Sequence, residues 1–179
     1  MNYFISDLHL GHENIIKLTK RPFATIEEMN EVLINNWNKV VKEEDDVYII
    51  GDLFYKSKDN IEDILSKLKG NKYLILGNHD KEWIDKIDHK KYFKVVTELL
   101  TFDDGQRKVT LCHYPMVSFE WRFHIHGHIH GNVNDFFWDT LKKMDKVLNA
   151  SVEINNFKPV TFDELLINNR KHKANNKFF

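Results

Sequence analysis

Five short strand-like runs in this chain each stop at residues that can grip a cation, and that recurrence limits the possible folds. Tyr3-Phe4-Ile5-Ser6 leads to Asp7 and His9, and Val47-Tyr48-Ile49-Ile50 leads to Gly51-Asp52. Lys72-Tyr73-Leu74-Ile75-Leu76 leads to Gly77-Asn78-His79-Asp80, Val109-Thr110-Leu111-Cys112 to His113, and the run 123–126 to Gly127-His128-Ile129-His130. Runs of this length and composition read as buried strands. Any one of the endings is also an ordinary turn, because Gly, Asn and Asp all favour turns. Ligands of α/β sheets bind beyond the carboxyl ends of strands, so such endings can converge in space although far apart in sequence. Asp7/His9 and His128/His130 are spaced i, i+2, which in extended backbone puts both side chains on one side.

The remaining pattern supports an α/β reading. Thr25 and Glu28 form a candidate capping box ahead of apolar residues at helical spacing, predicting a helix over 26–42. A second helix follows a cap at Asp59 or Asn60 and ends at Gly70. Further helices are expected over 81–89, 135–143 and 161–167. Strands are expected over 93–96, 98–102, 108–112, 123–126 and 147–154, with Asp103-Asp104-Gly105 as a hairpin turn. Strands alternate with helices in the first half and dominate the second, which suggests sheets covered by helices. The expected organisation is one domain over 1–169 and a basic, frayed tail over 170–179.

Composition narrows the function. With 26 basic and 27 acidic residues the net charge is -1, which gives no overall attraction to long nucleic acid or to a membrane. No run approaches the ~18 apolar residues of a membrane span, and no signal segment precedes the first strand, so a cytoplasmic location is expected. The single Cys112 excludes an internal disulfide and an all-cysteine zinc site. Histidine is abundant, at ten residues. The strand-end donors are carboxylate, imidazole and amide oxygen. That mixture suits Mn, Fe, Zn, Ni or Co better than Ca or Mg. Seven candidate ligands, namely Asp7, His9, Asp52, Asn78, His113, His128 and His130, are too many for one tetrahedral ion. They fit two ions sharing a carboxylate, ~3.5–4 Å apart.

Asp7-x-His9, Gly51-Asp52, Gly77-Asn78-His79-Asp80, His113 and Gly127-His128-x-His130 resemble, in order and approximate spacing, the calcineurin-like metallophosphoesterase superfamily. Gly11-His12-Glu13-Asn14-Ile15-Ile16 and Arg21-Pro22-Phe23 are similar to its small bacterial or phage phosphohydrolase branch. The resemblance implies a four-layer α-β-β-α sandwich of two mixed sheets. It implies that Asp7, His9, Asp52 and His130 hold one divalent ion, manganese first among the candidates, and that Asp52, Asn78, His113 and His128 hold the other. Asp52 would bridge, His79 would protonate the leaving group and Asp80 would orient His79. A hydroxide held between the ions would attack phosphorus. Gly51-Asp52 continues as Leu53-Phe54-Tyr55, and Asp80 stands where the phosphoprotein phosphatase branch has Glu, so a Ser/Thr phosphatase is disfavoured.

Several residues keep two readings. His12 is either a polar loop residue or a phosphate contact. Arg21 is either a surface turn residue or a bidentate phosphate clamp. His124 and His126 are expected to support the strand rather than bind metal. The expected function is hydrolysis of a small phosphoester, with a diester favoured. The rivals are a nuclease on nucleic-acid ends, for which Trp121, Arg122 and Phe123 could contact a base, and a non-catalytic scaffold of the same fold.

Overall fold

The first half of the chain lays parallel strands side by side with helices between them. The computed structural model describes residues 1–120 and 122–176. Strands β1 (Asn2–Ile5), β2 (Asp46–Ile50), β3 (Asn71–Ile75) and β4 (Phe93–Thr97) pair in parallel, and β9 (Val160–Thr161) adds antiparallel beside β1. The second sheet holds β5 (Leu99–Asp103), β6 (Lys108–Cys112), β7 (Phe123–His126) and β8 (Val147–Asn149). Its β5–β6 pair is antiparallel, and the others are parallel. Both sheets are therefore mixed.

Period-two alternation sorts the core into layers. Tyr3, Ile5, Val47, Ile49 and Leu74 face α1 (Glu13–Leu18), α2 (Ile26–Val40) and α3 (Ile61–Lys67), in one cluster with Ile15, Leu33, Trp37 and Leu65. Phe4, Tyr48, Ile50 and Ile75 point the other way, onto Val109, Leu111, Ile125 and Leu148 of the second sheet. Beyond that sheet, Ile129 and Val147 pack with Leu141 of the short α4 (Trp138–Leu141). The last helix, α5 (Phe162–Asn175), contacts β1, β8 and β9. The architecture is the expected α/β sandwich of two mixed sheets flanked by helices. No helix among the described residues is long and apolar enough to cross a membrane.

The caps follow from side-chain chemistry. Thr25 accepts from the Glu28 backbone N–H at 3.2 Å, but Glu28 returns its bond to Ala24 N. The complete reciprocal capping box lies instead at Thr161 and Glu164. Asn60 caps α3 by accepting from Glu62 N.

Four expectations need correction. The helix expected over 81–89 is a chain of single turns, because Trp83 (φ -126) and Ile87 (φ -127, ψ 161) leave helical geometry. The strand expected over 147–154 stops at Asn149, where Asn149 Oδ1 accepts from Ser151 N at 2.9 Å and bends the chain. The helix expected over 135–143 is only Trp138–Leu141. The tail expected to fray from Arg170 is helical to Asn175, held by Lys173, whose ammonium donates to the carbonyls of Met144 and Val147. Residues 177–179 of that tail lie outside the described residues, as does Trp121.

Candidate metal centre

The loops leaving the strands converge at the top of the sandwich. They are stitched to each other by Asp7 N to Gly51 O, His9 N to Asp52 O, and Gly127 N to His113 O, each 3.0 Å. Asp7 (φ 57), His9 (φ 52), Asp52 (φ 55), His128 (φ 72) and His130 (φ 51) all adopt the left-handed region. Such a conformation costs about 1–3 kcal/mol per non-glycine residue and clusters at functional sites. The two i, i+2 pairs therefore aim at common points through successive left-handed kinks, not through extended backbone. Close approach also fixes two glycines. A Cβ on Gly77 would overlap the Asp52 side chain, and one on Gly51 would overlap the His113 ring.

All seven expected ligands fall in one cluster. Asp52 Oδ2 lies 3.6 Å from His9 Nε2 and 3.4 Å from His113 Nε2. Asp7 Oδ1 is 4.0 Å from His130 Nε2. Asn78 Oδ1 is 3.2 Å from His113 Nε2 and 3.1 Å from His128 Nδ1. Two donors bound ~2.0–2.2 Å from one ion can be up to about 4.4 Å apart, so each pair fits a shared ion. Three overlapping triads, Asp7/His9/His130, Asp7/Asp52/His113 and His9/Asp52/His79, have donor atoms within 4.8 Å of one another. The third triad brings the His79 ring to the same locus.

The residues fit a cation on independent grounds. His9 is 2 % exposed, yet neither of its ring nitrogens has a hydrogen-bond partner. Buried polar atoms are nearly always paired, and a metal ion would engage one of these two nitrogens. Burial, reinforced by nearby His130, pushes the His9 imidazole down to about 2, which keeps it a neutral ligand.

A family comparison decides what this arrangement belongs to. The model of the calcineurin-like phosphoesterase family matches residues 3–176. The chain belongs to that family. It is 39% identical over 168 residues to an uncharacterized protein of Methanocaldococcus jannaschii, covering 90% of this chain and 86% of that one. It is 31% identical to the gene 66 protein of Mycobacterium phage L5, over 72% of this chain and 76% of the phage protein. Among solved structures, a protein of unknown function from Aquifex aeolicus superposes with a TM-score of 0.73 at 31% identity, covering 92% of this chain and 96% of that one. Metallophosphoesterases of this kind bind divalent metals, and the Asp/His cluster here is of the type that can hold them.

Within this metallophosphoesterase, two of the candidate ligands, Asp7 and His113, have polar support behind them. Ser6 and Ser151 hydroxyls donate to Asp7 Oδ2 at 2.6 and 2.8 Å, and the His128 backbone N–H contacts both Asp7 oxygens at 3.1 Å. His113 Nδ1 meets the Ile50 carbonyl at 2.9 Å, which leaves Nε2 for the cluster. Burial alone would lower His113, but its hydrogen bond to Asp52 and the charges of Asp7 and Asp52 lift it to about 9. Burial would likewise raise Asp52, yet His113 brings it down to about 2. His124 and His126 bond backbone carbonyls, at Thr110, Tyr114 and Gly127, and so support the strand as expected.

Two expected roles are overturned. Asp80 does not orient His79. Its fully buried carboxylate accepts from Asp52 N (2.8 Å), Leu53 N (3.0 Å), Gly77 N (2.8 Å) and Trp83 Nε1 (3.0 Å), which fills its acceptor sites. It locks the Asp52 and Asn78 loops together. Neither reading of Arg21 holds, for it is neither a phosphate clamp nor a surface turn residue. It is 4 % exposed and donates to the carbonyls of Leu8 and Asp7 and to Glu153. His12 stands 5.3 Å from the His9 ring and 4.6 Å from Tyr55, half-buried beside the cluster.

Sequence reasoning missed Glu153 and Tyr55. Glu153 Oε1 lies 2.9 Å from His130 Nδ1. The available signal was a lone acid in the apolar stretch 147–154. The Tyr55 ring packs tilted against His79, centroids 4.0 Å apart, and gave no signal in the sequence beyond its nearness to Asp52.

Proposed function

We propose that this protein is a binuclear metal-dependent phosphoesterase that hydrolyses small phosphodiesters, with His79 as the proton donor. The observation that carries this reading is Asp52 Oδ2, a single oxygen placed between His9 on one side and His113 on the other. That is the position a bridging carboxylate needs. One ion would be held by Asp7, His9, Asp52 and His130, and the other by Asp52, Asn78, His113 and His128. Manganese is the first candidate, with iron, zinc, nickel or cobalt next. Such ions, when bound, lower the pKa of water and offset charge on phosphoryl oxygens.

The chain's own contribution is positioning and proton transfer. The backbone N–H of His79 donates to Asp52 Oδ1 at 2.9 Å, which fixes the residue beside the bridge. Its ring rests against Tyr55 and lies 5.4 Å from the His9 ring. Among the described residues its ring nitrogens make no hydrogen bond, so the ring is free to donate a proton to a departing alkoxide. A cavity of about 560 Å³ shares His128, His130 and Glu153 with the cluster and suits a small substrate.

The diester preference rests on charge. Arg21, the one arginine expected at the phosphate, is engaged elsewhere. A dianionic monoester then lacks the bidentate arginine that would offset its second charge. Manganese-loaded protein assayed on a matched pair of aryl mono- and diesters, and on 2′,3′-cyclic nucleotides, tests the reading. Diester turnover at least equal to monoester turnover is expected, and a large monoester preference overturns it. A nuclease acting on strand ends is the second reading, favoured by Tyr114, 47% exposed and 4.8 Å from the His128 ring, where a base could stack. Steeply salt-dependent oligonucleotide binding would select it.

A further inference from the structure

The loops carrying Asp7/His9 and His128/His130 come from different sheets, yet a single buried ion pair joins them. Arg21 Nη2 and Nε donate to Glu153 Oε1 at 2.7 and 3.0 Å, and both side chains are almost wholly buried. The same guanidinium donates to the carbonyl of Asp7 at 2.6 Å and to that of Leu8 at 2.8 Å. Those carbonyls lie inside the left-handed kink that presents Asp7 and His9. Glu153 Oε1 in turn meets His130 Nδ1 at 2.9 Å. With Nδ1 committed there, the proton sits on that nitrogen and Nε2, 4.0 Å from Asp7 Oδ1, keeps its lone pair for the cluster. Asn149 Nδ2 holds the His130 carbonyl at 2.6 Å and fixes the ring's backbone.

We propose that Glu153 and Arg21 are positioning residues for one metal site only, that of Asp7, His9 and His130. Glu153 sets the tautomer and rotation of His130, and Arg21 sets the Asp7–His9 kink. Among the described residues, neither hydrogen-bonds to Asn78, His113 or His128. The inference rests on the metal assignment made above and is independent of which ester is hydrolysed.

The test reads metal binding and not turnover, so a failure of the phosphodiesterase reading leaves it intact. Manganese titration of metal-stripped wild-type protein and of Glu153→Gln, followed by calorimetry, reports the affinity of each equivalent. Glutamine keeps the shape and loses the charge. One equivalent should weaken by about 10- to 100-fold, with the other unchanged. Both equivalents unchanged would overturn the proposal. Both weakened alike would make Glu153 a general structural residue and also overturn it. A measurement on wild-type protein guards against a variant that fails to fold. In the zinc-loaded protein, ¹⁵N spectra of the His130 ring should show Nδ1 protonated and Nε2 metal-bound, and the reverse pattern refutes the assignment.

Discussion

Around Asp7, His9 and His130 the polar atoms behind the cluster are held by Ser6, Ser151, Arg21 and Glu153, and the side chains are buried or nearly so. Around Asn78 and His128 the side chains stand exposed, and among the described residues the Asn78 oxygen hydrogen-bonds only to the rings of His113 and His128. One side of the centre is closed and braced, and the other, though His113 is buried against the Ile50 carbonyl, opens to solvent at Asn78 and His128. A two-ion hydrolase needs both properties. A braced site holds its ion in fixed geometry, while an open one leaves room for the phosphoryl group to arrive. Asp52 belongs to both sides, and that makes it the place where the contrast can be broken outright.

Asp52→Asn should have the largest effect. It removes the charge that faces both His9 and His113, so neither side should retain its ion and turnover should disappear. Elemental analysis after reconstitution would read close to two equivalents in the wild type and close to none in the variant. Retention of one full equivalent would mean that the braced side stands alone and that Asp52 is not shared.

His79 sharpens the same contrast, since its ring can reach the braced side through the His9/Asp52/His79 triad. As a proton donor it matters most for poor leaving groups, and general acid catalysis is worth about 10²–10⁴-fold. His79→Gln should keep both metals, slow alkyl or nucleoside esters by that factor, and slow p-nitrophenyl esters much less. Loss of one metal equivalent would make His79 a ligand of the braced side. Equal slowing of both ester types, with metal retained, would make it a charge stabiliser.

The convergence of the candidate ligands was legible because strand ends and donor chemistry both show in sequence. Asp7, His9, Asp52, Asn78, His113, His128 and His130 needed only the rule that loops at one sheet edge converge. Arg21 and Asp80 were misread because residue type reveals what a group can bond, not what it meets. Arg21 meets an acid 132 residues away, and nothing local in the sequence marks that partnership. Asp80 looked like a neighbour's orienter, yet its partners are backbone N–H groups of two loops and an indole. That reading has a direct test. Asp80→Ala orphans four buried donors beneath both sides at once. Each such donor costs about 1–3 kcal/mol, and with partial relaxation the metal-stripped protein should lose about 3–5 kcal/mol in urea unfolding. A variant of normal stability with slowed alkyl-ester turnover would restore the orienting role.

The smallest effect, and the finest separation of the two sides, concerns protons. In protein stripped of metal, His113 is held protonated to about 9 by Asp52 and Asp7 against the opposing effect of burial. His9 on the braced side is neutral above about 2. A metal entering the open side must therefore displace the His113 proton. Its apparent affinity should climb about tenfold per pH unit, one proton for one ion, and level off only near pH 9 instead of near the ordinary imidazole value of about 6.5. His9 adds no such slope on its side. His130 adds a slope on that side, because its hydrogen bond to Glu153 raises it despite burial. The stability of the metal-stripped fold runs the other way. A folded pKa raised above the unfolded one gives stability that is complete below about pH 6.5 and is lost as pH rises through about 9. Thermal unfolding of stripped protein should therefore shift to lower temperature across that interval while the metal-loaded protein holds steady. An affinity that levels near pH 6.5, together with a stripped protein whose stability is flat, would show that His113 is not paired with Asp52 before metal arrives.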